Sequence, residues 1–382
     1  MHHSTNIVYA SLGAGALGLA VFCAASKCRT LRRQLVRLGI CSFSPIHDAL
    51  DQPMRKVAKG LSSISIISVD DLSTQQVKCI MELASFFRER VSQKISCQLL
   101  QDKTLVTFFH EPSTRTRCSF EGAMLKLGGK VISISDPSTS SASKGETIED
   151  SARVLSSYAD VMVMRHSESG VMERVKRHID IPLINAGDGS GEHPSQALLD
   201  LYTISNYFPI FDRETSDRHL CICFVGDLRN GRTAHSLAKL LSRFNVVMRY
   251  VAPAQLQMPT EIQREVEKNF AKYNISDLPV PRQTSFSSMD DGCEGCDVIY
   301  VTRLQKERMD ANEYKRLKNS YQLNKALLAK LPQHVKIMHP LPRLDELPTD
   351  IDTDERAIYF EQAQNGLYVR MAILYLLLNS MK

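Results

Sequence analysis

Two spacings of apolar residues alternate along most of the chain. Short unbroken apolar runs, typical of strands buried on both faces, take turns with stretches where apolar residues recur every three or four positions. The runs predict strands at Leu105–Phe109, Val131–Ile134, Val161–Met164 and Pro182–Asn185, then at Leu220–Val225, Val246–Val251, Val298–Val301 and Lys336–Met338. The periodic stretches predict helices at Arg117–Leu127, Ile148–Tyr158, Val171–His178, Ser195–Tyr207, Thr233–Phe244, Glu261–Tyr273 and Gln364–Leu378. An earlier helix is signalled by the capping box Ser73-Thr74-Gln75-Gln76 and by the stripe Val77, Ile80, Met81, Ala84 and Phe87. Residues 42–63 keep no period and read as connection. The expected fold class is α/β, with two parallel-sheet domains joined by helices and ligands bound at the carboxyl ends of strands.

The expected boundaries are an N-terminal extension over residues 1–63, a first domain over 64–200 and a second over 201–355. A closing helix within 362–382 returns to the first domain. The length of 382 residues is enough for two such cores. Ile7 to Ala25 is an uncharged, largely apolar run of 19 residues, followed by Lys27, Arg29, Arg32, Arg33 and Arg37. That length spans a bilayer, and cations on its C-terminal side favour an uncleaved anchor leaving the enzyme on the cytosolic face. The expected location is therefore cytoplasmic, with or without a membrane anchor; an organellar import signal fits the same run. A secretory signal would carry its cations first.

Composition narrows the chemistry. A net charge of +5, spread along the chain, does not make a nucleic-acid surface. Ten cysteines without a disulfide framework fit a reducing compartment. The single CxxC, Cys293 to Cys296, has no second pair at zinc spacing and reads as two small thiols, so no metal or cofactor is expected.

The polar residues gather after strands. His110-Glu111-Pro112-Ser113-Thr114-Arg115-Thr116-Arg117 joins the first strand to a helix, bringing free N–H groups, three hydroxyls and two guanidiniums to one point. These are donors without a base or an activated nucleophile, a set suited to phosphate. Arginine at a helix N-terminus opposes the dipole unless an anion is bound, which argues against a merely solvated first turn. The serine-rich loop 136–147, with Lys144-Gly145-Glu146, follows the second strand. Arg165-His166 follows the third, and the stretch from Asn185 to Gln196 follows the fourth. In the second half, Arg232 lies beyond Leu220–Val225 and Arg303 beyond Val298–Val301. Gly226 to Thr233 is glycine-rich but lacks the lysine of a nucleotide-binding P-loop. His339-Pro340-Leu341-Pro342-Arg343 closes the last strand.

Taken together, the first strand-end stretch, Met164-Arg165-His166, Asn185-Ala186-Gly187-Asp188-Gly189 and His193-Pro194-Ser195-Gln196 resemble the transcarbamoylases. Lys144-Gly145-Glu146, Gly231-Arg232-Thr233, the run from Thr302 to Arg308 and His339-Pro340-Leu341-Pro342-Arg343 resemble the aspartate-using branch of that family. The resemblance runs from about Ile64 to the C-terminus. It implies the transcarbamoylase fold and carbamoyl transfer from carbamoyl phosphate to the amine of L-aspartate, early in pyrimidine synthesis, without a cofactor. It assigns the first domain to carbamoyl phosphate and the second to aspartate.

Residue by residue, the resemblance implies that Ser113, Thr114, Arg115 and Thr116 hold the phosphate. Ser140 and Lys144 would reach in from a neighbouring subunit of a homotrimer with shared sites. Arg165, His193 and Thr116 would polarise the carbamoyl oxygen, and Gln196 with the Leu341 carbonyl would hold the carbamoyl NH₂. Arg232, Thr233, Arg303 and Gln305 match aspartate-binding positions, and Leu341–Pro342 would be a cis peptide. An ornithine-using member is the first alternative, disfavoured by Pro340 where that branch has cysteine and by arginines after the second-half strands. A catalytically inactive scaffold is the second, disfavoured because every matched position carries a competent residue.

Overall fold

The computed structural model describes residues 50–135, 145–211, 219–273, 275, 280–305, 309–317 and 321–379. The apolar run 7–25, and Ser140 and Lys144, lie outside the described residues. Residues 52–382 form one compact unit built on two sheets.

The first sheet contains β1 (Thr104–Phe109), β2 (Lys130–Ile134), β3 (Val161–His166) and β4 (Leu183–Asp188), in the order β2-β1-β3-β4. The second contains β5 (Leu220–Val225), β6 (Val246–Val251), β7 (Gln283–Phe286), β8 (Val298–Val301) and β9 (Lys336–Met338), in the order β7-β6-β5-β8-β9. Every pairing is parallel. The unbroken apolar runs follow from that: β5 and β8 are covered on both faces and almost wholly buried.

Both sheets reverse their winding beside a central strand. From β1 the chain steps outward to β2 and then returns to β3 on the other side; from β5 it steps to β6 and β7, then returns to β8. The crevices at the carboxyl ends of β1/β3 and β5/β8 are where such sheets bind ligands. The long helix Tyr359–Leu378 packs on the helices Thr74–Ser92, Thr114–Lys126 and Pro194–Ser205, so the chain end supports the first sheet's helices.

The two-sheet α/β architecture is as expected, and the capping box is formed: Ser73 Oγ accepts from Gln76 N–H, and the Gln76 side chain accepts from Ser73 N–H. Several elements differ. Gln52–Lys59 is helical where the sequence suggested connection. β7 and the short helices Met289–Cys293, Ala311–Leu317 and Lys325–Lys330 went unpredicted, being too short or too polar for a periodic signal. β3 and β4 run on through Arg165-His166 and Ala186-Gly187-Asp188, because ladder pairing overrides the polar side chains. The last helix starts at Tyr359, five residues ahead of Gln364. Cys293 and Cys296 are fully buried, as expected of small core thiols. Among the described residues, no helix is long and apolar enough to cross a membrane.

Candidate active site

A cleft of about 790 Å³ lies where the carboxyl ends of β1, β3 and β4 meet those of β5, β8 and β9. Its lining includes Ser113, Thr114, Arg115, Thr116, Arg165, His193 and Gln196 from the first half of the chain. From the second come Arg232, Thr233, Arg303, Gln305, Leu341 and Pro342. The described residues of the expected site are thus brought together.

The first wall is the start of the helix Thr114–Lys126. Its N-cap is Ser113, in extended backbone, whose side chain makes no capping hydrogen bond. The first-turn N–H groups therefore point toward the cleft without a side-chain acceptor. The helix begins three residues before the expected Arg117, which places Thr114, Arg115 and Thr116 within its first turn. Arg115 is half-buried, and burial, then the positive charge of Arg303, holds its pKa below the usual arginine value. Arg117 has a different task from the one its position suggested. It bonds Ser133 Oγ at 2.9 Å and Glu121 at 3.4 Å and is absent from the cleft lining, because two residues beyond Arg115 is about 200° of helix rotation, which turns it away from the cleft.

Arg165 sits in β3 where the pairing with β4 changes register between Met164 and His166. Such irregularities re-aim side chains. Its Nη2 donates to Glu111 Oε1 at 2.6 Å and its Nη1 to the Ala186 carbonyl at 3.2 Å, while Nε is buried without a partner. Burial, then repulsion by Arg232, pushes its pKa down to about 10, still well above neutrality.

Arg232 opens the helix Arg232–Leu241 beyond β5. It donates to Glu111 Oε1 at 3.0 Å, to Glu111 Oε2 at 3.3 Å and to the Gly189 carbonyl at 2.7 Å. Glu111 therefore holds two guanidiniums from different sheets. Burial pushes its carboxyl pKa up, but the attraction of Arg232 and Arg165 outweighs this and leaves it below the usual value. Gly187 makes the close approach possible: its φ is +117°, and a Cβ there would stand 2.9 Å from Arg232 Cζ and 3.2 Å from Arg165 Nη1.

His193 is buried at the N-cap of Pro194–Ser205, its N–H donating to Ser236 Oγ at 3.0 Å and its Nδ1 without a partner. Burial, then the charges of Arg165, Arg232 and Arg370, keeps its pKa well below the ordinary value, so it is neutral at pH 7. Gln196, one turn on, donates to Asp200 at 2.9 Å. Gln305 donates through Nε2 to the Asn230 carbonyl at 2.8 Å. Leu341 has φ of +54°, the Leu341–Pro342 peptide is cis, and Leu341 N–H donates to His339 Nδ1 at 2.8 Å.

Glu111 and Arg370 are the charged lining residues that the sequence reading did not assign to the site. Glu111 lay inside the motif but was overshadowed by its donors. Arg370 is the lone cation in the apolar part of the last helix, a signal in itself, since an ionisable group in a buried stripe needs a reason. Fully buried, it reaches Ser119 Oγ at 2.9 Å, lies over the Phe120 ring and is pushed down to about 10 by burial. In all, five arginines and one carboxylate line the cleft. That excess calls for polyanionic ligands.

Comparison with known proteins agrees with this geometry. Residues 65–206 match the family model for the aspartate/ornithine carbamoyltransferase carbamoyl-P binding domain. Residues 218–377 match that for the Asp/Orn binding domain. The chain is 42% identical over 320 residues to an aspartate carbamoyltransferase catalytic subunit of Thermoplasma volcanium, covering 83% of this chain and 99% of that protein. It is 42% identical over 326 residues to the corresponding subunit of Vibrio cholerae, covering 85% and 99%. Among solved structures, it is similar to Trypanosoma cruzi aspartate transcarbamoylase in complex with N-(phosphonacetyl)-L-aspartic acid. That match has a TM-score of 0.76 and 37% identity, covering 84% of this chain and 98% of that one. The same enzyme in complex with carbamoyl phosphate gives a TM-score of 0.77 at 37% identity, with the same coverage.

Proposed function

The chain belongs to the aspartate/ornithine carbamoyltransferase family, and from that premise we propose how its cleft residues divide the work. The reaction transfers the carbamoyl group of carbamoyl phosphate to the amine of L-aspartate, giving N-carbamoyl-L-aspartate and phosphate. The observation that carries the reading is the cleft's five arginines against one carboxylate, which suit a phosphate beside a dicarboxylate.

The phosphate sits at the N-terminus of the helix Thr114–Lys126, held by Ser113, Thr114, Arg115 and Thr116. The carbamoyl oxygen faces Arg165, His193 and Thr116, and the carbamoyl NH₂ faces Gln196 and the Leu341 carbonyl. Arg232, Thr233, Arg303 and Gln305 take the aspartate carboxylates. As the amine attacks, negative charge grows on the carbamoyl oxygen and on the departing phosphate. Fixed donors at both places stabilise that charge without a covalent intermediate. A neutral His193 fits this role, since it donates a hydrogen bond without adding another cation. Glu111 fixes the positions of Arg165 and Arg232, the two guanidiniums that face the substrates.

Ornithine would require an acid for its cationic side chain. The one lining carboxylate, Glu111, is already shared by Arg165 and Arg232, which supports aspartate. Ser140 and Lys144 complete the phosphate site of the adjacent subunit in a homotrimer. The protein works in the cytoplasm, early in pyrimidine synthesis, and residues 7–25 tether it to a membrane; extraction by carbonate would contradict the tether. The test of the site reading is titration with N-(phosphonacetyl)-L-aspartate. It should compete with carbamoyl phosphate, and Arg115→Ala and Arg303→Ala should each weaken it by at least about tenfold. Unaltered affinity in either variant would contradict the assignment.

A further inference from the structure

Beneath the cleft, the fully buried Asp200 collects three hydrogen bonds from three parts of the fold. Gln196 Nε2, one turn earlier on the same helix, donates to Oδ1 at 2.9 Å. Gln362 Nε2, on the last helix, donates to Oδ1 at 2.7 Å, and the Tyr300 hydroxyl, on β8, donates to Oδ2 at 2.8 Å. The Gln362 amide has only one consistent orientation, because its Oε1 accepts the His339 backbone N–H at 2.8 Å and a backbone N–H can only donate. Its NH₂ end must then face Asp200. A carboxylate accepts only, so it fixes the Gln196 amide the same way round.

We propose that Asp200 is a positioning residue for Gln196. Its carboxylate holds the NH₂ end of that amide, so the carbonyl end is presented to the amino group of the carbamoyl donor. Through Gln362 the same carboxylate is tied to the turn that carries the Leu341 carbonyl, and through Tyr300 to the second sheet. The inference rests on the reading that Gln196 and Leu341 hold the carbamoyl NH₂. If that amide were reversed, it would offer N–H to N–H, and the site would lose its means of telling a carbamoyl group from an acyl group of equal size. Three donors on one buried carboxylate are what its desolvation demands. Burial still pushes the Asp200 carboxyl up to about 7 against the hydrogen bonds of Gln362, Tyr300 and Gln196. Protonation of Oδ2, with the Tyr300 hydroxyl turned to accept, would leave Oδ1 holding both glutamines.

The test uses two stable probes, phosphonoacetamide and phosphonoacetone, which differ only in NH₂ against CH₃. The quantity read is the ratio of their dissociation constants, measured by calorimetry on the full chain. The native protein should prefer the amide by roughly tenfold, the worth of one good hydrogen bond. Asp200→Ser should remove most of that preference while phosphonoacetone affinity stays within about threefold, which a general loss of structure would not spare. Asp200→Asn should restore the preference, its carbonyl oxygen accepting both glutamines and its NH₂ facing the Tyr300 oxygen. Should Asp200→Ser fail to fold, Asp200→Glu, which displaces the carboxylate by one methylene, should show the same loss. Gln196→Ala separates the two layers of the argument. If it abolishes the preference while the Asp200 variants keep it, Asp200 has no positioning role. If Gln196→Ala itself keeps the preference, the reading of Gln196 fails, and this inference with it.

Discussion

Glu111 Oε1 accepts a hydrogen bond from Arg232 Nη2 at 3.0 Å, joining the turn after the first strand of one sheet to the first helical turn after the first strand of the other. The same oxygen takes Arg165 at 2.6 Å, so one carboxylate sets the spacing of two cations on opposite walls. Replacing it with an amide removes the charge and keeps the volume. Glu111→Gln should lower kcat/KM for aspartate by about ten- to a hundredfold, because two half-buried guanidiniums lose the partner that places them. Steady-state kinetics checks this, and a change below about threefold would mean that Glu111 plays no part in placing Arg165 and Arg232.

The charge that acts on Arg115 is that of Arg303, another cation. An arginine held this way is poised for an anion. Arg115→Ala should cost about two to three powers of ten in kcat, the usual loss when a fixed charge at a developing anion is removed. The melting temperature should hardly move. A loss of less than about tenfold would place Arg115 away from the leaving phosphate.

Acid should destabilise the fold. His110, His166, His193, His235 and His339 all have lowered pKa values, with burial the largest cause in each case. Below a pH of about 6.5 the unfolded chain takes up protons on these rings that the native state refuses, so stability falls as pH falls. Asp200 acts in the opposite sense: raised to about 7, it keeps a proton in the native state that the unfolded chain has released. That is one proton against up to five. Calorimetry between pH 7.5 and 5.5 should show a falling melting temperature, and ring ¹⁵N shifts should report a neutral His193 at pH 6. A His193 titrating near 6.5 would contradict the buried, cation-flanked environment.

Much of this was legible from the chain alone. Parallel strands buried on both faces leave unbroken apolar runs, so β1, β5, β6, β8 and β9 stood out in the sequence. The cleft residues were legible because they cluster at strand ends. What stayed hidden depends on direction and pairing. Arg115 and Arg117 are two residues apart on a helix, so one enters the cleft and the other turns to Glu121; the motif alone treats them alike. Glu111 and Asp200 gain their meaning from partners far along the chain, Arg232 and Gln362, and nothing local announces those contacts. The polar ends of β3 and β4 read as loop because ladder pairing, not composition, extends them.

Sharing of sites between subunits has a quantitative signature. A Lys144→Ala chain keeps a native site body, and an Arg303→Ala chain keeps a native 136–147 loop. Mixed equally and reassembled at random into rings, about a quarter of sites should combine a native body with a native loop. Two nearly inactive parents should then yield roughly a quarter of native activity. No recovery after demonstrated subunit exchange would confine the site to one chain.

The central claim meets its most direct test in one assay, formation of carbamoylated product by the purified full chain from carbamoyl phosphate with either L-aspartate or L-ornithine. The account predicts N-carbamoyl-L-aspartate and phosphate in equal amounts, with ornithine turned over at least about a thousandfold less efficiently, since the cleft offers its side chain no free acid. Comparable kcat/KM for the two amino acids, or no product with aspartate, would contradict it.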